Sequence, residues 1–397
     1  MLNFGSGHSK AVNTRKAVAE SLESAGIGPE HSPKLVVVHT TLGHDLPQML
    51  SSLREGAPGT QIVGCTGSGV IGSGWVSEAV RAMALVTVDG EGITVASVAG
   101  VSGENSRSKA LACAEELRVQ APDANMLMLL GPGLNVDADA LIAGVEAVFG
   151  PDVPIFGGLA GFGGTIPRTP VFHDDRILDD GLVLIGFTAP DLELVQMEHH
   201  GSLPRPDRFT ITAAEGQRLD ELDGKPAWPT LMASIDMPAT TPPMEVITLI
   251  GLGLDLSDDD QREYDNAKIL RIPLALAENG TSCYLQYSLP EGTVVTSCQR
   301  DEHYLFEGAT RLMERLKARL KGRQPLAIFQ TDCMARGRLS HNVVEKDGII
   351  RDMQQSLSAE LAIPWVGVYG SAEFGVLNGR NRSHNYTTTL SAVVTTG

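Results

Sequence analysis

Between Leu326 and Leu390 the chain sets out five polar side chains with chemistry to offer: Cys333, Arg336, Glu373, His384 and Asn385. They fall in three runs, Ile328-Phe-Gln-Thr-Asp-Cys-Met-Ala-Arg-Gly337, Trp365-Val-Gly-Val-Tyr-Gly-Ser-Ala-Glu-Phe-Gly375 and His384-Asn-Tyr-Thr-Thr-Thr-Leu390. Apolar strand-like stretches at Leu326–Phe329, Trp365–Tyr369 and Thr387–Val394 put those groups at strand ends, where open α/β sheets place ligands. A guanidinium there grips a carboxylate through two parallel hydrogen bonds, and a carboxylate receives an ammonium group. Arg336 with Glu373 therefore suits an amino acid, and Arg336→Ala is expected to abolish binding while leaving the fold intact. The same two residues could instead pair with each other as structural ions, although an ordinary surface pair contributes little stability. Cys333 lies three residues before Arg336, and a nearby cation lowers a thiol pKa and makes it reactive. A buried cysteine is equally often inert, and a nucleophilic one needs a base, for which His384 is the histidine at hand.

These groups must be carried by repeated elements. Helix-strand-helix-strand patterning appears at Ala11 to Ala25, Lys34 to His39, Leu46 to Arg54 and Gln61 to Gly64, the first helix stopping at Gly26, Gly28 and Pro29. It recurs at Asn105 to Val119, Asn125 to Leu130, Asp137 to Phe149 and Val153 to Phe156, and again at Tyr304 to Lys321, Leu326 to Phe329, Ile350 to Leu361 and Trp365 to Val368. Each round ends in a glycine loop: Gly64 to Gly72, Gly157 to Gly164 and Gly367 to Gly375. The shared frame, Ile62-Val-Gly-Cys-Thr-Gly-Ser68, Ile155-Phe-Gly-Gly-Leu-Ala-Gly161 and Trp365-Val-Gly-Val-Tyr-Gly-Ser371, predicts a degenerate internal repeat. Ala79 to Val88 and Gly92 to Ala99 read as a hairpin around Asp89-Gly90. Leu203-Pro-Arg-Pro206 reads as a linker, which sets a boundary near residue 205. Pro242-Pro243 and Leu254 to Tyr264 read as surface loops.

The expected fold is α/β, with mixed sheets of repeated αβαβ-loop-ββ units, in two domains, 1–205 and 206–397. At 397 residues the chain exceeds what one core usually serves. Its net charge of -17 opposes binding to nucleic acid and to anionic membrane. No apolar run reaches the roughly 20 residues of a membrane span, and the start lacks a signal-peptide core, so a cytoplasmic protein is expected. Five scattered cysteines without a Cys-x-x-Cys pair exclude a disulfide framework and a zinc ribbon. His199-His200 and His173-Asp174-Asp175 lack a second ligand set and read as solvated loops; Asp258-Asp-Asp260 lacks the glycine and distal glutamate of a calcium loop. None of the glycine loops carries a nucleotide-binding signature. Thr66, Ser68, Gly161 and Tyr369 would line any cavity that those loops surround.

Taken together, the loop Gly64-Cys65-Thr66, the segment Ala214-Glu-Gly-Gln-Arg-Leu-Asp-Glu-Leu-Asp-Gly-Lys-Pro-Ala227, Cys333-x-x-Arg336, Val366-Gly-Val-Tyr-Gly-Ser-Ala-Glu373 and His384-Asn-Tyr-Thr387 resemble the FIST family. The likeness covers Lys34 to Val394, with 1–205 as the FIST N-terminal domain and 206–397 as FIST-C. Where the family usually reads Tyr-x-x-Gly-Glu, this chain reads Tyr369-Gly-Ser-Ala-Glu373. The resemblance implies a cytosolic sensor of a small polar metabolite such as an amino acid, without catalytic groups and with no obligatory cofactor. With no signalling module within these residues, output is expected to pass to a partner in trans such as a histidine kinase. Some family members are haem-binding nitric oxide sensors that regulate a histidine kinase or a cyclic-di-GMP pathway. His39, His44, His303 and Cys333 are the axial residues that such a reading offers. A cysteine-dependent hydrolase or transferase using Cys333 is the remaining alternative.

Overall fold

A computed structural model describes residues 2–28, 32–163, 167–337 and 343–396. Pro29 and Gly164, expected at a helix end and a loop end, lie outside the described residues.

Three parallel strand pairs form the frame: Leu35–Thr40 with Gln61–Thr66, Met126–Gly131 with Ile155–Leu159, and Ala327–Cys333 with Trp365–Gly370. Near-continuous apolar runs suit such strands, because both faces are covered. An antiparallel strand flanks the first member of each pair, Met83–Asp89, Leu182–Phe187 and Thr388–Thr395. Beyond it lies an edge strand, Asn3–Ser9, Ile93–Val98 and Leu192–His199. The repeat is therefore real and complete in all three copies.

The far side of each pair is closed by a hairpin borrowed from another copy. The first copy's Val70–Gly72 and Trp75–Ser77 pair onto Trp365–Gly370 of the third. The second copy's Val171–His173 and Arg176–Leu178 pair onto Gln61–Thr66 of the first. The third copy's Ala372–Leu377 and Arg380–His384 pair onto Ile155–Leu159 of the second. The exchange is cyclic, and it yields three six-stranded sheets. Their inner faces meet in one core, where Phe329 touches Phe4 edge-on at 6.5 Å and Phe156 at 5.2 Å.

Helices cover the outer faces. Asp45, Asp137 and Asp301 cap the starts of Leu46–Gly56, Ala138–Phe149 and Glu302–Leu320 by accepting from backbone N–H groups. In the last of these, Leu305, Ala309, Leu312, Met313, Leu316 and Leu320 are buried at three- and four-residue spacing, so one stripe packs on the third sheet. Between the third copy's edge strand and this helix the chain inserts residues 202–300, which build an eight-stranded sheet. Strands from both sides of residue 205 share two of the six-stranded sheets.

Three local expectations are corrected. Met83–Asp89 and Ile93–Val98 are not a hairpin; they lie in different sheets, and the turn between them joins two copies. Leu203 to Pro206 is no linker but part of the strand Ser202–Glu215, where the prolines coincide with a register shift between Pro204 and Arg208. Leu254 to Tyr264 contains the strand Gly251–Asp255 and the helix Asp258–Tyr264, which Ser257 caps and three first-turn aspartates favour electrostatically.

Candidate functional site

The three glycine loops meet through their backbones. Ser68 N donates to Tyr369 O, Tyr369 N to Gly69 O and Gly161 N to Thr66 O, while Thr66 Oγ1 returns a bond to Gly161 O at 3.1 Å. A Cβ at Gly161 would lie 2.3 Å from Tyr369 O, which is why that position is glycine. Tyr369 turns its ring into the core beneath Glu302–Leu320 and Val343–Leu357. Thr66, Ser68, Gly161 and Tyr369 thus form a backbone junction between the copies.

The hollow lies beside that junction, above the strand end at Cys333. It measures about 40 Å³, and its walls come from three places: Gly133 and Phe162 of the second copy, Cys333 and Ser371 of the third, and Ile247 and Ile272 of the inserted segment. The Cys333 thiol is buried, and burial first, the Glu373 charge second, push its pKa well up. It is a neutral thiol, the reverse of an activated nucleophile.

Arg336 is also buried, and its partner is Asp332, not Glu373. Arg336 Nε donates to Asp332 Oδ1 at 2.8 Å and Nη1 to His200 O at 3.1 Å, with both side chains of the pair 3% exposed. Burial raises the Asp332 pKa against the pull of Arg336. Glu373 is completely buried, its Oε2 accepts from Thr387 N at 3.2 Å, and its Oε1 has no partner. Burial raises its pKa well above the ordinary carboxyl range, with the Thr387 amide offsetting in part. Directly across the antiparallel ladder stands His384, whose Nδ1 meets Tyr264 OH at 3.1 Å and whose Nε2 has no partner. Burial, with Arg271 second, keeps this imidazole neutral.

Asn385 is a strap. Its Oδ1 accepts from Ile272 N at 3.1 Å, and its Nδ2 donates to Gln286 Oε1 and Ser371 O, tying the insert to the third glycine loop. Tyr386, at φ 58, bonds the carbonyls of Ile247 and Ile250 in the same way.

His199 and His200 are not solvated, as their pairing in the sequence had suggested; both are buried at the end of Leu192–His199. The rings run Tyr304, His199, His200, Tyr264, His384 at centroid separations of 5.3, 6.2, 5.4 and 5.2 Å. Glu198 beside them has one unpartnered oxygen, and burial pushes its pKa up to about 8. Asp332, Glu198, Tyr264 and Gln286 were missed in the sequence. A signal for the first two was available, since each is an acid within a strand that also carries several apolar residues.

Among the described residues no group of three or more His, Cys, Asp or Glu could hold a metal, and no helix is long and apolar enough to cross a membrane. Haem does not fit the axial residues considered for it. The chamber at Cys333, at about 40 Å³, is far too small to admit a porphyrin ring. His39 is buried against the Cys65 thiol at 3.3 Å, His44 faces Thr14 Oγ1, and His303 pairs with Glu307 on the exposed face of Glu302–Leu320.

An uncharacterized protein of Mycobacterium tuberculosis is 23% identical over 403 residues, covering 99% of this chain and 100% of that one. Another, from Mycobacterium bovis, is 24% identical over 246 residues, and the match spans 62% of this chain and 61% of the relative's length. Among solved structures, a cyanuric acid hydrolase from A. caulinodans covers 100% of this chain and 99% of its own, at 8% identity and a TM-score of 0.37, a level at which no chemistry carries over. The FIST N domain matches residues 34–225 and the FIST C domain residues 237–376. The chain belongs to the FIST family, whose domains are sensory domains of signal transduction.

Proposed function

We propose that this chain senses a small metabolite, of which amino acids are the class that the resemblance suggests, at the chamber above Cys333. The carrying observation is that two copies of the repeat and the inserted segment all contribute walls to that one chamber. A ligand there touches three separate parts of the chain at once, which suits a sensor, because only differential affinity for two arrangements of such parts shifts their populations. Beneath it, Glu373 Oε1 and His384 Nε2 are buried and unpartnered, so they stand ready to exchange partners when the chamber fills. Asn385 and Tyr386 carry the change to the insert, and a signalling partner in trans, such as a histidine kinase, reads it. Cytoplasmic action fits five buried cysteines, all free.

Arg336 acts in this reading as a positioning residue, holding Asp332 and the His200 carbonyl, with Cys333 in the chamber wall closest to the ligand. The neutral thiol gives a cysteine hydrolase no support.

The test is a thermal-shift panel of metabolites on the wild type and on Cys333→Met, which fills the chamber with an apolar group. A ligand that stabilises the wild type should lose most of its shift in the variant, and hydrogen exchange along 202–300 should slow on binding. An unchanged shift in Cys333→Met would sink the assignment.

A further inference from the structure

Three hollows lie side by side along the seam between the insert and the second copy. The outer one, about 450 Å³, has Glu104, Asn135, Glu215 and Arg218 in its walls. Asn135, Gln217 and Tyr284 belong both to it and to a middle hollow of about 360 Å³. Leu134 and Leu274 belong both to the middle hollow and to the chamber that ends on Cys333. The two walls are pinned to each other, Gln217 Nε2 donating to Val136 O at 2.7 Å and Gln286 Nε2 to Gly133 O at 3.0 Å. Neighbouring hollows thus share walls and form a row that leads from solvent towards the thiol.

Polarity falls along that path. At the mouth, Arg218 is already engaged by Glu215 and Asp220, and two wall carboxylates face one wall guanidinium, so the mouth is net negative. In the middle the walls turn to Leu134, Val136, Leu274, Ala275 and Leu285. At the floor the Ser371 hydroxyl donates to Ala160 O at 3.0 Å, leaving Cys333, Met334, Ile247 and Ile272 to meet a ligand. An ammonium or carboxylate pushed to the floor would lose its water and find no counter-charge, so a charged end is disfavoured there. A chain end loses nothing there, and a chamber of about 40 Å³ admits little else.

We propose that the seam takes a single-chain acyl or alkyl molecule with an uncharged polar head, chain end first against Cys333, with the head between Asn135, Gln217 and Tyr284. This rests on the chamber being the sensory site, and it replaces the amino acid with an amphiphile as the ligand class. The Asn135 amide, the Gln217 amide oxygen and the Tyr284 hydroxyl offer partners to a neutral head, while Glu104 and Glu215 disfavour an anionic one.

The experiment titrates the full chain with straight-chain primary amides from butanamide to decanamide by calorimetry and thermal shift, with decanoate and leucine alongside. Affinity should rise roughly fourfold for each added methylene that is buried, and then level off once the chain end reaches Cys333. Decanoate should bind roughly tenfold more weakly than decanamide. Ala275 is exposed in the middle hollow, so Ala275→Trp should block the path and abolish amide binding while the unliganded melting temperature stays put. Equal binding of decanoate would overturn the uncharged head. Leucine binding that Ala275→Trp blocks, without amide binding, would overturn the ligand class and leave the site standing. Amide binding indifferent to Ala275→Trp would overturn both, and no binding by any amide would overturn the proposal.

Discussion

Burial decides what the individual residues can do. Arg336 was expected to be a removable ligand clamp, yet it sits in a buried ion pair, and truncating one partner of such a pair typically costs about 3–5 kcal/mol because the other charge is stranded. Arg336→Ala therefore perturbs the fold before it reports on binding. Glu198 gives a cleaner reading. Its carboxyl titrates near 8 in the folded chain against an ordinary value of 4.5, so the folded state holds a proton that the unfolded state has released. A raised pKa contributes stability fully at pH below 4.5 that is lost as pH rises through 8. Wild type should accordingly lose stability relative to Glu198→Gln, on the order of a few kcal/mol, between pH 5 and pH 9 in urea titrations. Parallel curves for the two proteins would mean that Glu198 is solvated or fully paired.

At the scale of elements, the glycine junction is held by backbone. The nearest atom to a Cβ on Gly161 is the Tyr369 carbonyl oxygen, which belongs to a strand with partners on both sides and cannot step aside cheaply. Gly161→Ala should destabilise by roughly 1–3 kcal/mol, and a midpoint within error of wild type in denaturant would show that the loops can separate. The helices and the strand pairs were legible because they depend on local pattern, such as the three- and four-residue stripe from Leu305 to Leu320. The exchange of hairpins was not. Ala372–Leu377 carries no mark of its pairing with Ile155–Leu159, since strand pairing across more than two hundred residues is settled by packing and not by propensity. The same limit explains the missed site residues. Cys333, Arg336, Glu373 and His384 were found as polar groups at strand ends, and the structure does bring them together; that Arg336 would choose Asp332 depended on which faces became buried.

For the whole molecule, the cyclic exchange bears on where the chain can be cut. We expect residues 1–205 not to stand alone, although the family's two halves suggest that boundary. Removing 206–397 takes away Ala372–Leu377, and with it the cover on Ile155–Leu159, an apolar edge whose N–H and C=O groups would be left open. It also takes away the whole central pair of the third sheet and strands Val70–Gly72. Every copy lends a hairpin and receives one, so no copy can unfold without opening a neighbour's sheet, and the three-sheet body should melt in a single transition. Expressed alone, residues 1–205 should be aggregated or lack a cooperative melt by circular dichroism, and adding residues 206–397 in trans should restore one. A soluble monomeric fragment with its own sharp transition would show that the borrowed hairpin is an accessory to a self-sufficient half. Ligand occupancy could not then be felt across the sheets, and the seam alone would have to carry the signal.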